Sequence, residues 1–229
     1  MNRRALLGGL AGLAAAGAAP DAARADDDSP IATGVLKDNA LAKAFTASPV
    51  DSLPNVRLDT PNGPFDIADI LQGRTVLMPV FAEWCVPCLI EIPDFARLQE
   101  VYGNEHFAIL PVLSWPRKQM TPLAVAGLFQ SLRAEIFTPM AEQRFGGELV
   151  KHVARRANSL VLPCNLLIDP KGRIVAREIG LETNGVTPAK QTGDYYERAD
   201  QAAHGQTQSL WGTAAGDAFA TALANGFLK

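Results

Sequence analysis

Apolar positions change their spacing along the chain, and each spacing predicts a different element. Two nearly continuous apolar runs, Thr75–Phe81 and Phe107–Ser114, are typical of strands that are buried on both faces of a sheet. The segments Pro87–Tyr102 and Pro122–Ala134 space their apolar residues as amphipathic helices do. Strands that alternate with helices indicate an α/β sheet.

Shorter patterns extend this arrangement at both ends. Val56–Asp59 and Phe65–Ile67 read as two strands joined by a turn at Pro61–Pro64. Five elements are expected after the second helix: an edge strand at Ile136–Phe137, a helix at Glu148–Arg156, a hairpin of Leu160–Ile168 and Arg173–Ile179, and a helix at Trp211–Leu228. The sequence therefore predicts a central mixed β-sheet flanked by helices, with an N-terminal β-hairpin addition and a C-terminal helix.

The first 25 residues are expected to be an export signal. Arg3 and Arg4 precede a run of Ala, Gly and Leu that reaches Ala19, and Ala23-Arg24-Ala25 has small residues at both positions that a signal peptidase reads. The run has about 15 residues, whereas a spanning helix needs about 20, so a cleaved signal is favoured over an uncleaved anchor. The paired Arg also resembles a twin-arginine signal, which leaves that route and the general secretory route open.

The remaining residues divide into a linker and one domain. Residues 26–50 are expected to be a linker with a short helix at Asn39–Ala47, and residues 51–229 a domain with a polar insertion at about 181–210. The insertion is either a partner-recognition loop or a solvent-exposed loop that contacts no partner. The formal net charge is −3 and no basic block is present, so nucleic-acid binding has no support. We expect a periplasmic protein that meets the membrane only through its export signal.

Candidate chemistry comes from the cysteines. Three cysteines in an oxidising compartment are too few for a disulfide scaffold and indicate redox chemistry. Cys85 and Cys88 form a C-x-x-C where a buried strand passes into a helix, whose free N–H groups and positive dipole end favour thiolate at Cys85. Cys88 lies one turn on and can close a disulfide. We expect Cys85 to attack a partner disulfide and Cys88 to resolve the mixed disulfide.

A structural disulfide or half of a zinc site would also account for this pair. A zinc site normally needs four Cys or His ligands, and the three histidines, His106, His152 and His204, show no paired spacing. No metal and no other cofactor is therefore expected.

The chain resembles the branch of the thioredoxin superfamily that contains TlpA, ResA and CcmG. The resemblance runs from about Val56 to Gly180 and rests on the following motifs: Phe81–Cys88, Glu91-Ile92-Pro93, Leu162-Pro163, Leu166–Asp169 and Gly172. It implies a thioredoxin-like fold and a protein-disulfide oxidoreductase that reduces exported proteins with electrons from a membrane donor of the DsbD or CcdA type. The substrates that it suggests are apocytochrome c and copper-site proteins of cytochrome oxidase assembly.

The resemblance also implies roles for single residues. Pro163 corresponds to a cis-proline that faces the dithiol and offers a backbone edge to partner peptides; the alternative is an ordinary trans proline that ends a strand. Glu91 matches a Glu that ResA-like proteins hold near their cysteines, which suggests proton handling; the alternative is a solvated helix residue. Because a carboxylate that faces two thiols repels their thiolates, the pKa of Glu91 is expected to lie above that of a free Glu. The residues expected to contact substrate are Trp84, Val86, Pro87 and Leu162.

Two positions depart from the relatives. Pro79 stands where thioredoxins carry a buried Asp that helps move the proton of the resolving thiol, which gives Glu91 more weight and predicts a bulge or local break in the strand. Cys164 follows Pro163, where relatives usually have Thr. It is either a small buried residue or a third thiol near the dithiol, which would modulate the disulfide or add a soft metal ligand.

Proteins of the same fold also carry other functions. Sco-like copper chaperones space their Cys by three residues and use a later His, whereas the spacing here is two and Ile168–Lys171 contains no His. A peroxidase of the peroxiredoxin type is disfavoured because its peroxidatic Cys does not normally sit in C-x-x-C. A non-catalytic scaffold with a relic dithiol stays open, and an insulin-reduction assay would separate it from an enzyme.

Overall fold

The computed structural model of the protein describes residues 29–71, 73–143, 146–180 and 209–228. The expected export signal at residues 1–25 and nearly all of the expected insertion at 181–210 lie outside the described residues. None of the helices in the described ranges has the length and hydrophobicity that a membrane crossing needs.

The described residues contain ten strands and five α-helices. The strands are β1 Arg57–Asp59, β2 Phe65–Asp66, β3 Thr75–Phe81, β4 Phe107–Ile109, β5 Val112–Leu113, β6 Ala141–Glu142, β7 Arg155–Arg156, β8 Ser159–Leu160, β9 Cys164–Ile168 and β10 Ile174–Ile179. The helices are α1 Ala40–Ala44, α2 Val86–Tyr102, α3 Pro122–Ser131, α4 Glu148–Val153 and α5 Ala214–Ala224. Short 3-10 helices occur at Gly34–Leu36, Ile67–Ile70 and Leu210–Gly212.

One mixed sheet of eight strands organises the domain. Its order is β10-β9-β3-β5-β6-β1-β2, and β4 also pairs with β3. The central strand β3 is buried along its whole length, runs parallel to β4 and β5 and antiparallel to β9, and coincides with the apolar run that predicted it. The antiparallel pair β1 and β2 is the predicted N-terminal hairpin, and β1 joins the sheet through β6. This is the expected thioredoxin-like α/β architecture.

Pro79 leaves β3 unbroken and interrupts the neighbouring strand instead. Pairing with β9 continues in register through Pro79 and Asn165, so the predicted bulge in β3 is wrong. On the other side, pairing stops after Leu77–Ile109 and resumes at Val80–Val112, which divides the predicted strand 107–114 into β4 and β5. Proline has no N–H to donate, so the ladder on that side cannot be continuous.

Two further segments differ from their predictions. Ile136–Phe137 is a turn and not an edge strand; the buried ring of Phe137 packs against Phe129 in α3, with 5.7 Å between ring centroids. The predicted strand Leu160–Ile168 is divided, because β8 pairs with β7 in a separate hairpin and the main-sheet strand begins only at Cys164. In both cases tertiary packing outweighs the local apolar pattern.

The residues expected to form a linker are part of the packed domain from residue 29 onward. Ile31, Leu41 and Phe45 are fully buried, and the Phe45 ring lies 6.1 Å from that of Trp211 and 5.3 Å from that of Phe219. The linker expectation is therefore wrong for residues 29–47. The apolar side chains of this segment pack against α5 and the 3-10 helix that precedes it.

The sheet separates two apolar cores. The face that carries Leu77, Phe81 and Leu167 is covered by α2, α3, α5 and the N-terminal segment. The opposite face, with side chains such as Met78 and Leu166, is covered by α4 and the 3-10 helix Ile67–Ile70. The face on which a side chain lies therefore decides whether it can meet the residues of α2.

Candidate active site

The C-x-x-C motif lies where β3 passes into α2. Cys85 is the N-cap residue of α2, and its Sγ accepts a hydrogen bond from the Cys88 backbone N–H at 3.3 Å. The two cysteines are joined by a disulfide, with 5.3 Å between their Cα atoms, and both are buried, with 4% of Cys85 and 1% of Cys88 exposed. Once the bond is reduced, the free N–H groups and the positive dipole end of α2 favour the thiolate of Cys85.

An aromatic and cationic surface adjoins the dithiol. The indole N–H of Trp84 donates to the carbonyl of Trp115 at 2.9 Å, and the two rings meet edge to face at 5.3 Å. The guanidinium of Arg117 lies 5.4 Å from the centre of the Trp84 ring, within range of a cation–π interaction. The backbone N–H of Arg117 donates to buried Glu83 at 2.8 Å. Trp84 was predicted, whereas Trp115 and Arg117 were missed because they come from a separate loop. Glu83 precedes Trp84 in the same motif, but no role was predicted for it.

The residues predicted to contact substrate are all half-buried. Trp84, Val86 and Leu162 pack with their inner sides against the apolar cluster that contains both cysteines, and Pro87 lies in the first turn of α2. Each thus leaves part of its apolar surface accessible near the dithiol. Such surfaces are what an incoming polypeptide can bury.

The peptide bond between Leu162 and Pro163 is cis, as the resemblance implied. Cys164 pairs with Val80, so the antiparallel register places Pro163 beside the end of β3, the end at which the dithiol lies. The carbonyl of Pro163 accepts a hydrogen bond from Gly180 at 3.0 Å. The position fits the predicted docking edge, and its role stays a prediction.

Glu91 is buried, with 1% of its surface exposed, so the alternative of a solvated helix residue is wrong. The side-chain amide of Asn165 donates to Oε2 of Glu91 at 3.2 Å and to Oε2 of Glu178 at 2.6 Å. Two buried carboxyl groups therefore share one amide group. Spacing along α2 indicated Glu91, but nothing in the local sequence indicated Asn165 or Glu178.

Burial is the main cause of a pKa of Glu91 well above that of a free Glu, and the nearby carboxyl of Glu178 raises it further. Asp94 adds a smaller effect in the same direction, and the side chains of Asn165 and Trp211 oppose it in part. The direction agrees with the sequence prediction, but the cause differs. We expected charge repulsion from the two thiols, and the structure shows burial and a second carboxyl.

Cys164 lies on the other face of the sheet from the dithiol. Its side chain belongs to the core beneath α4, whereas Cys85 and Cys88 belong to the core beneath α2. Its Sγ contacts the carbonyl of Val153 at 3.8 Å, and burial raises the pKa of its thiol to about 12. The expectation of a third thiol within reach of the dithiol is therefore wrong, and Cys164 fills space as a small buried residue.

Comparison with known proteins adds a family and a set of similar structures. The family model described as Redoxin matches residues 48–193. A putative thiol:disulfide interchange protein DsbE from Chlorobium tepidum has 22% identity, with 57% of this chain and 84% of that chain covered and a TM-score of 0.43. The exposed lipoprotein thioredoxin from Streptococcus pneumoniae has 20% identity, with 56% of this chain and 90% of that chain covered and a TM-score of 0.44. StoA from Bacillus subtilis has 21% identity, with 58% of this chain and 90% of that chain covered and a TM-score of 0.41.

Proposed function

We propose that this chain, which belongs to the Redoxin family and is a thiol–disulfide oxidoreductase of the thioredoxin type, uses Cys85 and Cys88 to reduce disulfides in periplasmic protein substrates. The observation that carries the proposal is the disulfide at the start of α2, surrounded by half-exposed aromatic and apolar side chains. A structural disulfide would not need such surfaces beside it.

Reduction of a substrate proceeds by two exchanges. The Cys85 thiolate attacks one sulfur of the substrate disulfide, and the other sulfur leaves as a thiolate. Cys88 then gives its proton to Glu91 and attacks Sγ of Cys85, which releases the second substrate sulfur as a thiolate. Two electrons pass to the substrate, and the Cys85–Cys88 disulfide is formed. Reduction by a dithiol donor reverses these steps.

The surrounding residues orient the substrate polypeptide. Trp84, Val86, Pro87 and Leu162 supply apolar contact area, and Pro163 supplies a backbone edge for pairing. Their contribution is to hold the target disulfide in line with the Cys85 sulfur, where correct positioning lowers the barrier to attack.

The location and the partners are proposed from the sequence. Residues 1–25 would direct export to the periplasm, and a membrane donor of the DsbD or CcdA type would return electrons to the dithiol. The candidate substrates are apocytochrome c and copper-site proteins of cytochrome oxidase assembly. Among the residues that the structure describes, no group of three or more Cys, His, Asp or Glu side chains could hold a metal ion, and no observation favours the copper-chaperone alternative.

A trapping experiment tests the proposal. In C88A the mixed disulfide on Cys85 cannot be resolved, so we expect substrates to remain covalently bound to the exported protein until a reductant is added. The matched control C85A/C88A should bind none. Absence of any covalent complex on C88A, together with no insulin reduction by the wild-type protein, would show that the chain does not act on protein disulfides.

A further inference from the structure

A row of three residues crosses the sheet beneath the active-site helix. Asn165 in β9 pairs with Pro79 in β3 on one side and with Glu178 in β10 on the other. Residues paired across neighbouring strands point to the same face, and hydrogen bonding of the Asn165 amide to Glu91 identifies this face as the one under α2. Glu178 lies at one end of this row, and the side-chain amide of Asn165 links its carboxyl group to that of Glu91 by hydrogen bonds.

We propose that Glu178 is a positioning residue of the redox centre, which forms with Glu91 and the bridging amide of Asn165 one unit that holds a single proton for exchange with Cys88. The proposal rests on the function proposed above and goes beyond it, because it names a second carboxyl group as part of the proton path. Glu91 lies one turn of α2 after Cys88 and is the member that exchanges the proton.

Ionising both of two buried carboxyl groups that share one donor is unfavourable, because like charges repel strongly away from water. Glu91 and Glu178 are each 1% exposed. The groups that act on Glu91 come from every side: Glu178 from β10, Asn165 from β9, Trp211 from the 3-10 helix before α5, and Asp94 from α2 itself. Two of the four are carboxyl groups and none is a cation, so the unit favours one retained proton.

Besides the retained proton, the unit can accept one further proton on its ionised member and return it, which gives it a role in each direction of the exchange. When Cys88 resolves a mixed disulfide, its thiol proton passes to the ionised member of the unit, and the Cys88 thiolate attacks Cys85. When a donor dithiol attacks Cys85, Cys88 leaves as a thiolate and takes the proton back from the unit. The proton count balances in both directions, and the electrons move only between sulfur atoms.

The first test is a titration of the oxidised full-length protein by nuclear magnetic resonance, with ¹³C in the Glu carboxyl groups. In E178Q the negative neighbour is lost, so we expect the Glu91 midpoint to fall by about one pH unit or more. In N165A the stabilising donor is lost, so the midpoint should rise. The matched control E142Q removes another buried carboxyl group, whose partners are Ser114 and the start of α4, and should leave the Glu91 midpoint unchanged.

The second test links the unit to Cys88 through the rate of insulin reduction against pH. The midpoint of the wild-type profile should move in E178Q in the same direction as the Glu91 titration. Equal Glu91 midpoints in the wild type and E178Q would overturn the shared proton, and an unmoved rate profile would overturn its link to Cys88. If the wild-type protein reduced no disulfide, the proposed function would fail, whereas the titration would still decide whether the two carboxyl groups act together.

Discussion

Replacing Glu91 by Gln should stabilise the fold and slow the reaction at the same time. Gln has nearly the same shape, so packing beneath α2 is kept, while the charge of a carboxyl group that is 1% exposed is removed. The pKa of Glu91 is raised in the folded chain, which means that folding favours the protonated form. The stability linked to that form is complete below about pH 4, the ordinary Glu value, and is lost as the pH rises through the raised pKa.

The magnitude follows from this linkage. A tenfold difference in proton affinity between the folded and unfolded chain corresponds to about 1.4 kcal/mol. We therefore expect E91Q to be more stable than the wild type by on the order of 1–3 kcal/mol at pH 8, and nearly equal to it at pH 4. The same variant should reduce disulfides several-fold to about a hundredfold more slowly, within or below the range of general acid–base groups.

Urea unfolding of the oxidised proteins between pH 4 and pH 9 measures the difference in stability, provided that the free energy of unfolding depends on urea concentration with the same slope in the variant and the wild type. E100Q, a change at an exposed Glu of the same helix, is the matched control and should show a difference from the wild type that does not vary with pH. A stability difference for E91Q that is independent of pH would refute the reasoning about burial. Coincident pH–rate profiles for E91Q and the wild type would remove Glu91 from the proton path.

Two further outcomes can be measured on the same preparations. In pulse alkylation of the reduced protein at neutral pH, Cys85 should react first. Cys164 should stay unmodified until the protein unfolds, because burial raises the pKa of its thiol to about 12. Preferential labelling of Cys88 would reverse the roles assigned to Cys85 and Cys88. F45A should lower the free energy of unfolding by about 3–5 kcal/mol, because the Phe45 ring is fully buried beside Trp211, and a loss below about 1 kcal/mol would mean that the N-terminal segment is not part of the core.

Elements defined by their own residues could be predicted from the sequence. The run Thr75–Phe81 is nearly continuously apolar and is followed by Cys85, Pro87 and a helical pattern, so strand, cap and helix are encoded within about 30 residues. The same locality explains why the dithiol and the position of Glu91 one turn after Cys88 could be located. Each depends only on the geometry of a single helix.

Features that depend on strand register or on distant packing could not be predicted. The segment around Phe45 was expected to be a linker because its apolar residues find their partners on α5 and the 3-10 helix before it, more than 160 residues along the chain. Ile136–Phe137 looked like a strand because an apolar pair carries no sign of whether it will meet a sheet or another aromatic ring.

Strand register decided which side chains of β9 and β10 join the site. Side chains alternate between the two faces of a strand, so a shift of one residue in the pairing of β9 with β3 would exchange the environments of Cys164 and Asn165. The observed register places Cys164 beneath α4 and directs Asn165 toward Glu91 and Glu178. The sequence determined the dithiol and its helix, and only the tertiary structure decided which polar groups lie beneath them, because pairing across strands sets the face on which each side chain lies.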